Sequence, residues 1–180
     1  MSSVRSGPSL HLPAVEDAKN HEPGPYQNVH LARFSHGVMR QPESITPAMR
    51  ELIAAYTSYQ NECAFCTKAH AAAAAALLED EALVWQALRD LDRSALSDKD
   101  KRLLRFVGKM TKDLPSVSAG DAAGLREAGW DDEAIYFAVT ACALFNFYNR
   151  WITATGVHEM SEDAHRRQGE SIASRGYVRE

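Results

Sequence analysis

The chain has 180 residues, 45% of them apolar, with a formal net charge of −4. That length suits one domain with its own core and no need for disulfide staples. The mixed charges form no basic stripe and no apolar run reaches the length of a membrane span, which disfavours nucleic-acid binding and a helical membrane anchor.

Residues 1–25 are rich in Ser, Pro, Gly and His and read as an N-terminal tail or arm. Their start has one Arg and no continuous apolar segment, so no signal peptide is expected there. Residues 26–39 suggest a short first helix. "SITPAMRELIAAYTSYQ" then gives a clear helix start, with Thr46 as N-cap and Pro47 at the first helical position. Met49, Leu52, Ile53, Tyr56 and Tyr59 fall on one face of that helix. Asn61 is expected to cap the next helix, which carries two cysteines and six consecutive alanines. "DEALVWQALRDL" continues as a short amphipathic helix. Ser97 with Asp100, and Ser118 with Asp121, have the spacing of capping boxes before two further helices. Gly129 supplies a C-terminal stop, and Asp131 can cap a long apolar helix that ends near Gly156. From 161 to 180 the chain is polar and reads as a tail, helical at first. No stretch alternates apolar and polar residues as a strand would. The expectation is all-α: one compact domain over residues 26–160 with about seven or eight helices.

The chemistry concentrates in "NECAFCTKAHAAAAAALLED", residues 61–80. On a helix, Cys63, Cys66 and His70 lie within a ~60° arc. A thiolate is the reactive species, His70 can take the thiol proton, and unpaired amides at a helix start stabilise the anion. Two thiols at this spacing can close a disulfide once one is oxidised. Two other readings stand beside this one. C-x-x-C-x-x-x-H supplies three zinc ligands and lacks a clear fourth. Two inert buried cysteines beside a core histidine are the other. Cys142, in "VTACALF", reads as plain core. Three cysteines, two of them paired in sequence, suit a reducing compartment, so the cytoplasm is the expected location. His11, His21, His30, His36, His158 and His165 show no ligand spacing and read as surface or tail. "FNFYNRW", residues 145–151, reads as core plus subunit interface, or as a pocket wall.

Glu51, Cys63, Cys66 and His70 reproduce the pattern E-x11-C-x-x-C-x-x-x-H. In this the chain resembles the alkylhydroperoxidase D-like proteins of the carboxymuconolactone decarboxylase superfamily, in particular its peroxidase-related branch. The likeness runs over roughly residues 40–160, through "LREAGWDDEAI" and "FNFYNRWITATG". It implies a helical subunit that assembles as a trimer or hexamer. It also implies a peroxidase that reduces hydroperoxides and is regenerated by a dithiol or thiol-protein reductant, with no metal, haem or flavin cofactor. Carried over, Cys66 attacks the peroxide, Cys63 resolves, and Glu51 with His70 forms the proton relay. The related enzymes carry a histidine just before the second cysteine, where this chain has Phe65. Helix geometry alone places Cys63 nearer the N-terminal amides, while His70 at i+4 favours Cys66 as the attacker. Glu51 lies off the apolar stripe of its helix, where a solvated carboxylate is the ordinary reading; the resemblance instead turns its small-residue face onto the cysteine helix. Two alternatives remain: a general thiol–disulfide oxidoreductase, and a non-catalytic helical oligomer whose cysteines sense redox state or hold zinc.

Overall fold

A computed structural model of the chain describes residues 29–41, 44–157 and 159–178. The expected N-terminal tail, with His11 and His21, lies outside the described residues, as does His158. Eight α-helices and no strand occur among the described residues: α1 Val29–Arg40, α2 Pro47–Gln60, α3 Ala64–Leu78, α4 Glu81–Arg89, α5 Asp98–Lys112, α6 Ala119–Glu127, α7 Asp132–Thr155 and α8 Glu162–Arg175. A 3-10 turn, Leu114–Ser116, joins α5 to α6. No helix among these residues is long and apolar enough to cross a membrane.

The helix starts follow from local chemistry. Thr46, Asp80, Ser97, Asp131 and Ser161 each accept a backbone N–H from their own first turn. Ser118 and Asp121 form the full capping box. Gly156 ends α7 in the left-handed region.

Helix α2 is central. From Arg50 to Ser58 every residue is buried. Leu52 and Ile53 of α2 join Leu103, Leu104 and Val107 of α5 and Ala138, Cys142 and Phe145 of α7 in one core. Cys142 is fully buried, with its sulfur near the Val107 carbonyl. Buried Arg50 donates to the Ile45 and Val38 carbonyls and stacks over the Phe137 ring.

Two expectations need correction. Asn61 does not cap α3; it closes α2, and Cys63 occupies the N-cap position of α3. The Cys63 N–H bonds to the Ser58 carbonyl and the Glu62 N–H to the Tyr59 carbonyl, each at 3.0 Å, with Glu62 left-handed at φ 56°. That pair of bonds is the Schellman stop of α2. It needs no side chain from Asn61, whose amide instead reaches Asn146 and Asn149 on α7 at 3.0 Å.

The C-terminal segment is the second correction. Residues read as a polar tail form α8, which lies along α3. A polar helix can pack here because its buried stripe is small: Gly169 comes so close to α3 that a Cβ on it would stand 2.4 Å from the Ala72 Cβ and 2.7 Å from α3 backbone. The alanine run is the matching surface. Ala69, Ala71, Ala73 and Ala74 are buried between neighbouring helices that larger side chains would hold apart.

This contact predicts a clear cost for one methyl group. Overpacking typically costs about 1–3 kcal/mol, and in a domain this size each kcal/mol moves Tm by about 2–4 °C. Gly169→Ala should therefore lower Tm by about 2–12 °C in far-UV circular dichroism melts. An unchanged melt would mean that α3 and α8 do not meet at Gly169.

Candidate active site

The turn between α2 and α3 fixes where the thiols stand. Cys63 is the N-cap residue, Cys66 lies in the first turn, and His70 follows one turn later. All three are buried. His70 packs edge-on against Phe145, with ring centroids 4.3 Å apart. From α7, Asn149 lies beside both sulfurs and Thr153 beside that of Cys63. Asn149 also donates to Ser58 Oγ at 2.9 Å, which fixes its amide relative to α2.

Glu51 is not a solvated carboxylate. Its exposure is 0%, on the α2 face that packs on α3. Oε2 meets His70 Nδ1 at 2.7 Å, and Oε1 accepts from Arg40 Nη2 at 2.6 Å and from the Tyr177 hydroxyl at 2.8 Å. Burial alone would push this carboxyl up. The hydrogen bond and charge of His70, followed by those of Arg40, outweigh burial and hold it below its usual value. Burial, and next the Glu51 charge, push the Tyr177 phenol well above its usual value.

The two thiols differ in acidity. The largest influence on Cys63 is the hydrogen bond donated by the Cys66 thiol. Burial opposes it, while the Cys66 amide, Thr153 and Asn149 add to it, and Cys63 is held at about 6. The same hydrogen bond, then burial and the Cys63 charge, push Cys66 up. These influences favour the anion on Cys63 over Cys66, as does its place at the helix start.

Of the four sequence-predicted site residues, Glu51 and His70 form a direct buried pair, and Cys63 and Cys66 form a hydrogen-bonded pair one turn away on the same helix. Sequence reasoning missed Arg40 and Tyr177. Arg40 falls at the end of α1 with no motif around it, and Tyr177 lies in the segment read as a tail. It also misplaced His165, which is 1% exposed on α8 with its ring 5.3 Å from that of Phe65. In the aromatic segment, Phe145 and Asn149 are buried while Phe147 and Trp151 are exposed. A cleft of about 600 Å³ beside the start of α3 is lined by Tyr59, Ala64, Thr67, Lys68, Trp85 and Lys112, and by neither sulfur. Among the described residues, no three His, Cys, Asp or Glu side chains converge in a way that could hold a metal ion.

Comparison with known proteins gives a family likeness over part of the chain and a shared fold. The sequence profile of the carboxymuconolactone decarboxylase family matches residues 30–89, which include Glu51, Cys63, Cys66 and His70. An uncharacterized peroxidase-related protein from Silicibacter sp. TM1040 is 26% identical, with 78% of this chain and 72% of that chain covered at a TM-score of 0.72. An alkylhydroperoxidase AhpD core, an uncharacterized peroxidase-related protein from Ralstonia eutropha JMP134, shares the fold at 23% identity and a TM-score of 0.71, with 78% and 73% of the two chains covered. No protein with a curated description matches the chain. Over the cysteine helix and the helix before it the chain is thus similar to the carboxymuconolactone decarboxylase family, and its helical fold is similar to that of the peroxidase-related proteins.

Proposed function

We propose that the protein is a thiol-dependent peroxidase that reduces a hydroperoxide at the Cys63–Cys66 pair. The observation that carries this reading is the buried Glu51–His70 dyad one helical turn from Cys66. A thiol already at about 6 needs no dedicated base at neutral pH, whereas one pushed upward does. The dyad therefore serves Cys66. A thiolate of higher pKa is also the stronger nucleophile once formed.

The steps balance as follows. Cys66 passes its proton through His70, whose Nδ1 is held by Glu51. The Cys66 thiolate attacks one peroxide oxygen, the O–O bond breaks, and the leaving alkoxide or hydroxide takes the proton and departs as alcohol or water. Cys66 is left as a sulfenic acid. The Cys63 thiolate attacks that sulfur, an S–S bond forms, and hydroxide leaves as water once protonated. A dithiol or thiol-protein reductant supplies the two electrons and two protons that reopen the disulfide.

The subunit is also proposed to assemble with copies of itself. On α7, Tyr136, Phe147 and Trp151 are exposed along one stripe, and Phe34 is exposed on α1. Light scattering should give a multiple of the subunit mass, a trimer or hexamer; a monomer at micromolar concentration would remove this part of the proposal.

Single-turnover kinetics with a sulfenic-acid trap test the roles. Cys66→Ser should abolish peroxide reduction, and Cys63→Ser should leave one turnover with the trapped adduct on Cys66. His70→Ala and Glu51→Gln should slow the first step by about 10²–10⁴-fold. An adduct on Cys63 in the Cys66→Ser protein would reverse the assignment. Oxidation of the parent chain should remove two hydrogens from the peptide that carries both cysteines.

The acidity of Cys63 gives a separate expectation. Its thiolate is stabilised first by the Cys66 S–H donor, so removing that donor destabilises the anion and raises the pKa. The pH midpoint for iodoacetamide labelling of Cys63 should therefore rise from about 6 toward the ordinary thiol range in Cys66→Ala. A midpoint that stays put would assign the acidity to the helix start and α7 donors alone.

A further inference from the structure

We infer that Tyr177, brought in by the last turn of the chain, is a positioning residue of the Glu51–His70 relay. This rests on the reading of that pair as a proton relay, and it adds a third member from outside the segment matched by the family profile.

Four observations place the phenol there. Helix α8 ends at Arg175, and Gly176 follows at φ 74°, ψ −144°. A Cβ on Gly176 would stand 2.5 Å from His36 Nδ1, so only glycine fits this turn. His36 Nδ1 accepts the Tyr177 backbone N–H at 3.3 Å. Arg40 donates to the Ile172 carbonyl at 2.8 Å and lies 5.3 Å from the Tyr177 ring centroid. Two residues of α1 thus clamp the end of the chain. The result is a hydroxyl that donates to Glu51 Oε1 at 2.8 Å and stands 3.5 Å from His70 Nδ1, with its ring stacked 15° from the His70 plane.

The chemistry of that placement is specific. A carboxylate holding a histidine must keep one oxygen on the ring and stay ionised. Arg40 and Tyr177 both occupy Oε1, which leaves Oε2 to His70. An O–H donated to a carboxylate favours its charged form. Without it, the Glu51 carboxylate takes up a proton at higher pH. The charged and titratable groups facing Glu51 are Arg40 from α1, His70 from α3 and Tyr177 after α8. His36 of α1 faces the Tyr177 backbone, and Tyr148 of α7 bonds to Ser35 and lies within electrostatic reach of Cys66 and Tyr177.

The test reads the thiol and does not need peroxide. In the full chain carrying Cys63→Ser, the rate of Cys66 alkylation by iodoacetamide is measured against pH. Tyr177→Phe keeps the ring and removes only the donor. It should move the acid limb upward by about 0.5–1 pH unit with Tm little changed. Gly176→Ala, whose Cβ would press on His36 and the Arg40 side chain and so displace the hook, should move it the same way. Site-specific 3-fluorotyrosine at 177, a more acidic and stronger donor, should move it downward. A Tyr177→Phe profile that superimposes on its parent, or one that changes only in amplitude or Tm, overturns the inference. If the limb moves while the parent chain consumes no hydroperoxide, the peroxidase reading fails and the relay assignment stands. If peroxide is consumed and the limb does not move, the reverse holds.

Discussion

One buried carboxylate governs the arrangement of this molecule. Glu51 has no solvent contact, and an ionised carboxylate removed from water costs several kcal/mol unless donors replace the lost hydration. Those donors arrive from three places: Arg40 at the end of α1, His70 in α3 and Tyr177 beyond α8. Each must be held to hydrogen-bond tolerance, so the carboxylate sets the relative positions of elements far apart in sequence. The close α3–α8 contact accompanies this arrangement. Gly169 lies against Ala72, and the same helix leads to the turn from which Tyr177 reaches Glu51.

Much of the fold was legible because it is written in local signals. Thr46, Ser97, Ser118 and Asp131 are caps whose effect depends on the next three residues alone, and each behaves as read. Cys63, Cys66 and His70 were picked out through spacing, since one helix turn brings Cys66 and His70 to one face, whereas Glu51 was picked out only by the resemblance. What escaped depends on packing without apolar signature. The buried stripe of α8 includes His165 and Gly169, and Tyr177 follows two residues after the helix ends. A search for leucines and valines at helical spacing passes over such a stripe, although small residues allow the closest helix contacts. Asn61 was misread for a related reason. A side chain able to cap is not needed where backbone bonds already close the turn.

The distribution of acidity between the thiols shows where sequence position and chain folding divide the work. The N-cap place of Cys63 is a sequence property, and it favours an anion there. Its neighbours Asn149 and Thr153 come from α7, more than eighty residues later, and only the fold supplies them. Phe65 stands between the two cysteines, and its ring packs on His165 of α8. A buried histidine from another helix thus stands behind the apolar ring of the thiol turn.

The proposed relay would work in a dry place, where charge balance matters most. At rest, Arg40 and Glu51 form a neutral pair, and the anion of the thiol pair is favoured on Cys63 at the helix start. Moving the Cys66 proton to His70 creates an imidazolium and a thiolate together. No net charge is added to the interior, and the imidazolium forms 2.7 Å from a carboxylate already ionised. The imidazolium would thus form beside a fixed partner, while the Cys66 thiolate would form against the Cys63 anion with Asn149 as its donor. A neutral residue at position 51 would force the same transfer to build an unpartnered cation against Phe145. The carboxylate is costly to bury, and that cost is met during folding, before any proton moves.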